Sequence, residues 1–400
     1  MTALSPLSRR AFLASSSGAL LTALTASGAA FARAPTDNRL VFVFLRGGLD
    51  GLHALAPFAD PDYRRLRPTL ALERGNDGSG LIGLDGLFGL HPAMAPLKPL
   101  YDAGELAFLP AAATAYRDRS HFDGQNMLEN GSGVAYGARD GWLNRALLSL
   151  NGGDRRLGLA LGPSVPLILQ GPAEVQTWDD TTLPQLDADF LMRLGQMYRS
   201  DPLFLDALHE ATGALKPDVD MARFDDSPAL GRNFLMSAGV AADLLSRDTG
   251  PRVAVIELSG WDTHFNQEAR LKRLLGVVAQ GVGELKQGLG PAWRKTAVLV
   301  VSEFGRTAGE NGARGTDHGT GGLAMLAGGA VAGGRILGDW PGLSPAALYQ
   351  GRDLRAVNPL ESVFKSVLLS HLGLAEAAVE TAVFPHATGF RPMDGLFRTA

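Results

Sequence analysis

Four short runs of the chain are almost wholly apolar and end in glycine or polar residues. They are Arg39–Leu45 (RLVFVFL), Leu106–Pro110 (LAFLP), Val253–Leu258 (VAVIEL) and Thr296–Ser302 (TAVLVVS), and Gly322–Gly328 (GLAMLAG) is a fifth candidate. A continuous apolar run, unlike an alternating one, is the pattern of a strand buried on both faces. Between the runs, apolar positions recur at helical spacing. The pattern predicts helices over Met94–Ala103, Phe122–Glu129, Trp142–Leu150, Asp187–Tyr198, Pro202–Leu215, Gly231–Ser246, Asn266–Leu289 and Leu360–Leu372. Buried strands alternating with helices predict an α/β fold, with a mostly parallel central sheet flanked by helices on both faces. No period of solenoid or propeller length repeats. Lys216–Ser227 is polar and contains proline, but no firm boundary falls there. Residues 33–400 are expected to form one large domain with insertions.

The N-terminus has a different pattern. Ser8-Arg9-Arg10-Ala11-Phe12-Leu13 leads into a weakly apolar stretch, Ala14–Ala30, and then Ala30-Phe31-Ala32. Charged head, short apolar core and small-residue exit are the parts of an export signal. Paired arginines followed by Phe-Leu resemble a twin-arginine signal. The stretch is shorter than the roughly 20 apolar residues a membrane span prefers. Residues 1–32 are therefore expected to be a cleaved signal. The mature protein would be periplasmic or secreted, with no stable transmembrane anchor.

Composition narrows the chemistry. The chain has 400 residues, 46% hydrophobic and 20% charged, with a formal net charge of −4. That supports a sizeable core and argues against nucleic acid as a partner, which needs a clear basic footprint. Cysteine is absent. Disulfides, thiolate nucleophiles and Cys-ligated metals are thereby excluded.

In open α/β sheets, sites form beyond the carboxyl ends of the strands, and the unusual polar residues lie there. The first strand runs into Arg46-Gly47-Gly48-Leu49-Asp50-Gly51, whose glycine spacing does not fit a dinucleotide fingerprint. Asp50 is open to two readings, a metal ligand or the Asp of a tight turn. The third run leads to Asp262-Thr263-His264, where an extended backbone would point both ligand-type side chains to one side. A helix cap with an exposed His264 is the alternative. Asp317-His318-Gly319 offers a further ligand. Glu303 follows pure hydrophobes, so a metal or Arg306 must compensate its charge. Ser120 starts a helix in Tyr116-Arg117-Asp118-Arg119-Ser120-His121-Phe122-Asp123, either as an N-cap or as a hydroxyl nucleophile in the positive helix end. Arg117 and Arg119 are placed to hold an anion. His91 is expected to start a helix, Trp142 to pack in the core, and His53, His209, His371 and His386 to be packing or surface residues.

Together the twin-arginine head, the Asp50 loop, Ser120-His121-Phe122, Gly260-Trp261-Asp262-Thr263-His264, Ser302-Glu303-Phe304-Gly305-Arg306-Thr307 and Asp317-His318-Gly319 resemble one family. It is the exported bacterial family known as domain of unknown function 1501. That family is similar in outline to the alkaline phosphatase and sulfatase superfamily, which uses two metals. The resemblance implies an alkaline phosphatase-like fold, with Ser120 as nucleophile and Asp262, His264 and His318 on a first metal. Asp50 and Glu303 would serve a second. Phe304 stands where that superfamily has a metal-binding histidine, so the second site would be poor in ligands.

Two functions follow. One is an exported hydrolase of phosphate or sulfate esters, dependent on a divalent metal (Zn, Mn, Ca or Mg). Ser120, Arg119 and Arg306 would act on a small anionic substrate. The other is a non-catalytic periplasmic binding or assembly protein on a degenerate hydrolase scaffold, with another exported protein as partner.

Overall fold

The first apolar run becomes strand β1 (Arg39–Arg46), with Leu40 to Leu45 all buried. Burying each such side chain stabilises the fold by roughly 1.5–3 kcal/mol. The computed structural model describes residues 36–75, 80–151, 157–179, 193–194, 196–201, 204–205, 217–224, 227, 231–387 and 389–398, all within the unit Pro35–Ala400. The expected signal at 1–32 and most of the helices expected at Asp187–Tyr198 and Pro202–Leu215 lie outside these residues, as does His209.

Apart from a small separate sheet of Leu55–Ala56, Ile82–Gly83 and Gly89–Leu90, the other strands are β2 (Leu106–Ala113), β3 (Gly158–Leu161), β4 (Gln176–Trp178), β5 (Val253–Ser259), β6 (Thr296–Val301), β7 (Gly322–Ala327), β8 (Arg335–Ile336) and β9 (Asn358–Pro359). They form one sheet in the order β8-β2-β7-β6-β1-β5-β3-β4, with β9 also on β2. β1 runs parallel to β5 and β6, and β3 to β5 and β4. β7 is antiparallel to both β6 and β2, so β2 points the same way as β1. The mostly parallel sheet is as the apolar runs predicted, and all five runs are strands in it. β3, β4, β8 and β9 went unread because they are only two to four residues long, too short to show a period.

The helices include α1 (His121–Asn130), α2 (Trp142–Asn151), α3 (Arg232–Ser246), α4 (Gln267–Leu289) and α5 (Leu360–Ser366). Side chains alternate across a strand, and β1 uses both faces. Val41, Val43 and Leu45 join the core with α3 and α4. On the other face, Phe42 meets Trp142 of α2 and Phe364 of α5 at ring-centroid distances of 5.9 and 6.1 Å. The expected helix Met94–Ala103 is split into a 3-10 segment, Pro92–Leu97, and a short helix, Lys98–Asp102. Pro96 and Pro99 interrupt its hydrogen bonding. His91 caps that segment through Nδ1, which accepts from Ala93 N–H at 3.0 Å. Trp142, His53 and His371 are buried, and His386 is exposed.

β1, β2, β5 and β6 therefore deliver their carboxyl ends to one edge of the sheet. The segment after β6 doubles back there. Gly305 to Thr307 pair antiparallel with Asp317 to Thr320, through Gly305 N–H to Thr320 O, Gly319 N–H to Gly305 O and Thr307 N–H to Asp317 O. A side chain at Gly319 would put its Cβ 2.3 Å from the Arg306 backbone, so only glycine permits this clasp.

Candidate metal centre

Three loops bring their polar side chains to one carboxylate oxygen. Asp262, after β5, offers Oδ1. Around it stand Arg306 Nη1 at 2.7 Å, His264 Nε2 at 3.0 Å, His318 Nε2 at 3.2 Å and His121 Nε2 at 3.5 Å. Gly47 permits this approach of the β1 tip. It has φ 123°, and a Cβ there would lie 2.6 Å from Asp262 N. His121 is the first residue of α1, and Ser120 before it is the helix N-cap. His318 enters through the clasp, opposite Arg306.

Each imidazole is held from behind. His121 Nδ1 lies 2.8 Å from Glu303 Oε1, His318 Nδ1 2.9 Å from Arg119 O, and His264 Nδ1 3.1 Å from Asp317 Oδ1. All three partners are acceptors, so each ring is held through Nδ1 from behind and turns its Nε2 toward Asp262. His264 Nε2 and His318 Nε2 face each other at 3.1 Å. His121 Nε2 is buried and makes no hydrogen bond. Lone pairs converging beside a carboxylate repel one another unless a cation or proton lies among them. Ligand atoms of His121, Asp262 and His318 all fall within 4.8 Å of one another, a group that could hold a metal ion.

The electrostatics distinguish the members of the cluster. Partial burial opposes Asp262's charge, but Arg306, His264 and His121 outweigh it and hold its carboxyl below the usual range. Burial lowers His318, aided by the charges of His121 and Arg306, which keeps its imidazole neutral. Burial also acts against protonated His121, but Glu303 and Asp262 overcome it and raise that group.

The structure redistributes the expected roles. Asp262, His264 and His318 are brought together. Glu303, expected as a ligand, sits behind His121. It is fully buried and also accepts from Gly47 N–H at 2.9 Å and Gln125 Nε2 at 3.0 Å. Burial works against its charge, but the His121 and Gln125 hydrogen bonds keep it ionised. Asp50, expected on a second metal, is instead clamped by Arg67. Nη1 reaches Oδ2 at 2.7 Å and Nη2 reaches Oδ1 at 3.0 Å, with both side chains buried. Gln267 Nε2 and Leu52 N–H complete its shell. A guanidinium thus supplies the charge assigned to a second cation.

Arg306, expected to meet substrate, is buried and committed to Asp262 and Thr316. Arg119 is held by Asp353 Oδ2 at 2.7 Å and Gln350 Oε1 at 2.7 Å. Arg117 bonds the Thr114 and Tyr116 carbonyls. Ser120 Oγ accepts a long cap bond from Asp123 N–H at 3.5 Å and also meets the Tyr116 hydroxyl. Phe304 is a buried wall, with its ring 4.8 Å from His121 and 5.3 Å from His318. His121 is the residue that sequence reasoning left without a role. Its signal was its place at the first turn of a helix that starts where a parallel strand ends.

Residues 112–359 match the family described as "Protein of unknown function (DUF1501)". The chain belongs to that family. Among curated proteins, none matches it. Several solved structures are similar to it. One is Ps i-CgsB in complex with k-i-k-neocarrahexaose, at 11% identity over 89% of this chain and 77% of that one, TM-score 0.43. Another is the PsFucS1 sulfatase from Pseudoalteromonas sp., at 12% over 83% and 68%, TM-score 0.35. A third is a protein in the alkaline phosphatase superfamily from Vibrio parahaemolyticus, at 12% over 74% and 62%, TM-score 0.35.

Proposed function

We propose that this family member is an exported hydrolase of small anionic esters, phosphate or sulfate, built around one divalent cation. The carrying observation is the convergence of three Nε2 atoms on Asp262, each imidazole locked by an oxygen behind it. His121, His264, His318 and Asp262 would hold the ion. This nitrogen-rich set suits Zn or Mn, whereas Ca and Mg favour all-oxygen shells. When bound, the cation supplies Lewis acidity at an ester oxygen.

The chain's own residues supply the rest. Glu303, Arg119 O and Asp317 fix the three imidazoles, and Arg306 fixes Asp262. Ser120 stands at the positive end of α1, which supports it as nucleophile. Arg352 is left to recruit the anion. Its side chain is 43% exposed, one Nη is spent on Asp353 Oδ1 at 3.1 Å, and its charge reaches Asp317. Export through residues 1–32 belongs to the same reading. No described helix is long and apolar enough to cross a membrane.

The test is turnover of p-nitrophenyl phosphate and p-nitrophenyl sulfate with Zn or Mn. The expected result is hydrolysis abolished by a chelator and by Ser120→Ala. A folded protein that binds no metal and cleaves neither ester would favour the binding or assembly role beside another exported protein.

A further inference from the structure

Arg119 adopts a left-handed backbone, φ 63°, which only glycine enters freely. Its side chain shows what holds it. Nε is bound to Asp353 and Nη2 to Gln350, each at 2.7 Å. Asp353 is fully buried, and Gln350, in the turn that presents it, is also left-handed at φ 55°. Backbone bridges tie Asp353 to Tyr349 and to Thr307, beside the clasp that carries His318. Two strained non-glycine residues are thus joined side chain to side chain across a buried carboxylate. Such strain persists only where the surroundings enforce it, and it gathers where geometry matters.

The Arg119 carbonyl is the partner of His318 Nδ1, at 2.9 Å. A return of Arg119 to ordinary backbone angles would swing that carbonyl away and free the ring. We propose that Asp353 is a positioning residue for the cation site: by pinning the Arg119 guanidinium it fixes the carbonyl that aims His318 Nε2 at the centre. Asp353 makes no contact with the centre itself and acts through Arg119. This inference rests on the metal reading above.

The experiment is a Co(II) titration of the purified protein against a competing chelator, with the visible spectrum of bound Co(II) as second readout. Asp353→Asn and Arg119→Ala are expected to weaken Co(II) binding 10- to 100-fold, the usual cost of losing an outer-sphere partner, and to shift the absorption bands. Lys98→Ala, which removes the exposed Lys98–Asp102 ion pair on another element, is expected to change neither. Should Asp353→Asn not fold, Arg119→Ala reads the same link. Wild-type affinity and spectrum in Arg119→Ala would overturn the proposal, as would an equal loss in Lys98→Ala. Wild-type protein that takes up no Co(II) would overturn the metal reading and this one with it.

Discussion

Two carboxylates beyond the strand ends, Asp50 and Asp262, look alike in sequence and differ in what completes them. Asp50 lies between Arg67, Gln267 and a backbone N–H, and its charge is balanced by protein alone. Asp262 has a guanidinium on Oδ1, yet three imidazole nitrogens still crowd the same oxygen. The two are joined through the interior. Gln267 Oε1 accepts from Thr263 and Thr316 hydroxyls, and Thr316 Oγ1 accepts from Arg306, which holds Asp262. The difference teaches that a polar residue at a strand end becomes a site only when the protein leaves its surroundings unsatisfied. Asp50 is tied into the structure by protein partners, and Asp262 is the carboxylate on which the proposed cation site rests.

The sharpest way to break this contrast is to remove each partner in turn. Arg67→Ala strands a buried carboxylate and is expected to lower stability by about 3–5 kcal/mol, read by chemical denaturation. Little change would mean Asp50 has other compensation. Asp262→Ala removes the proposed direct ligand and is expected to weaken Zn binding by more than ~100-fold, beyond the outer-sphere range, with the fold retained by circular dichroism. Glu303→Gln keeps a hydrogen bond to His121 without its charge. A loss of ~10–100-fold in Zn affinity is expected, and a loss as large as that of Asp262→Ala would make Glu303 a direct ligand.

Acid separates the two regions further. Burial opposes Asp50's charge, but Arg67 lowers its carboxyl below the usual aspartate value. A depressed folded value means the pair stabilises fully above the ordinary aspartate range, and that contribution fades as pH falls through the folded value. Asp50→Asn should therefore flatten the acid limb of stability against pH. A limb unchanged by that substitution would contradict the assignment. Ser120→Ala has the smallest structural effect, about 0.5 kcal/mol for a long cap bond. Turnover abolished at so small a cost in stability would assign the nucleophile, and turnover retained would leave attack to water.

Legibility in the sequence followed the physics. Continuous apolar runs marked every long strand, because burial on both faces leaves no room for polar alternation. The edge at which chemistry gathers followed from parallel strands. What the pattern could not carry was pairing between distant segments. Arg67 lies 17 residues beyond Asp50 and Glu303 lies 182 beyond His121, and no local spacing announces either contact. Arg306 read as a partner for Glu303 or a contact for substrate, and Arg119 as an anion holder, because their acceptors, Asp262 and Asp353, arrive from other loops. His121 read as part of a cap because the same two residues serve both the helix start and the centre.

The central claim is a single cation on His121, His264, His318 and Asp262, with Arg67 standing in for a second. Metal analysis of the purified protein after Zn or Mn loading tests it most directly. The account predicts about one equivalent, lost in Asp262→Ala and kept in Asp50→Asn. Two equivalents, with one lost in Asp50→Asn, would contradict it, and so would none.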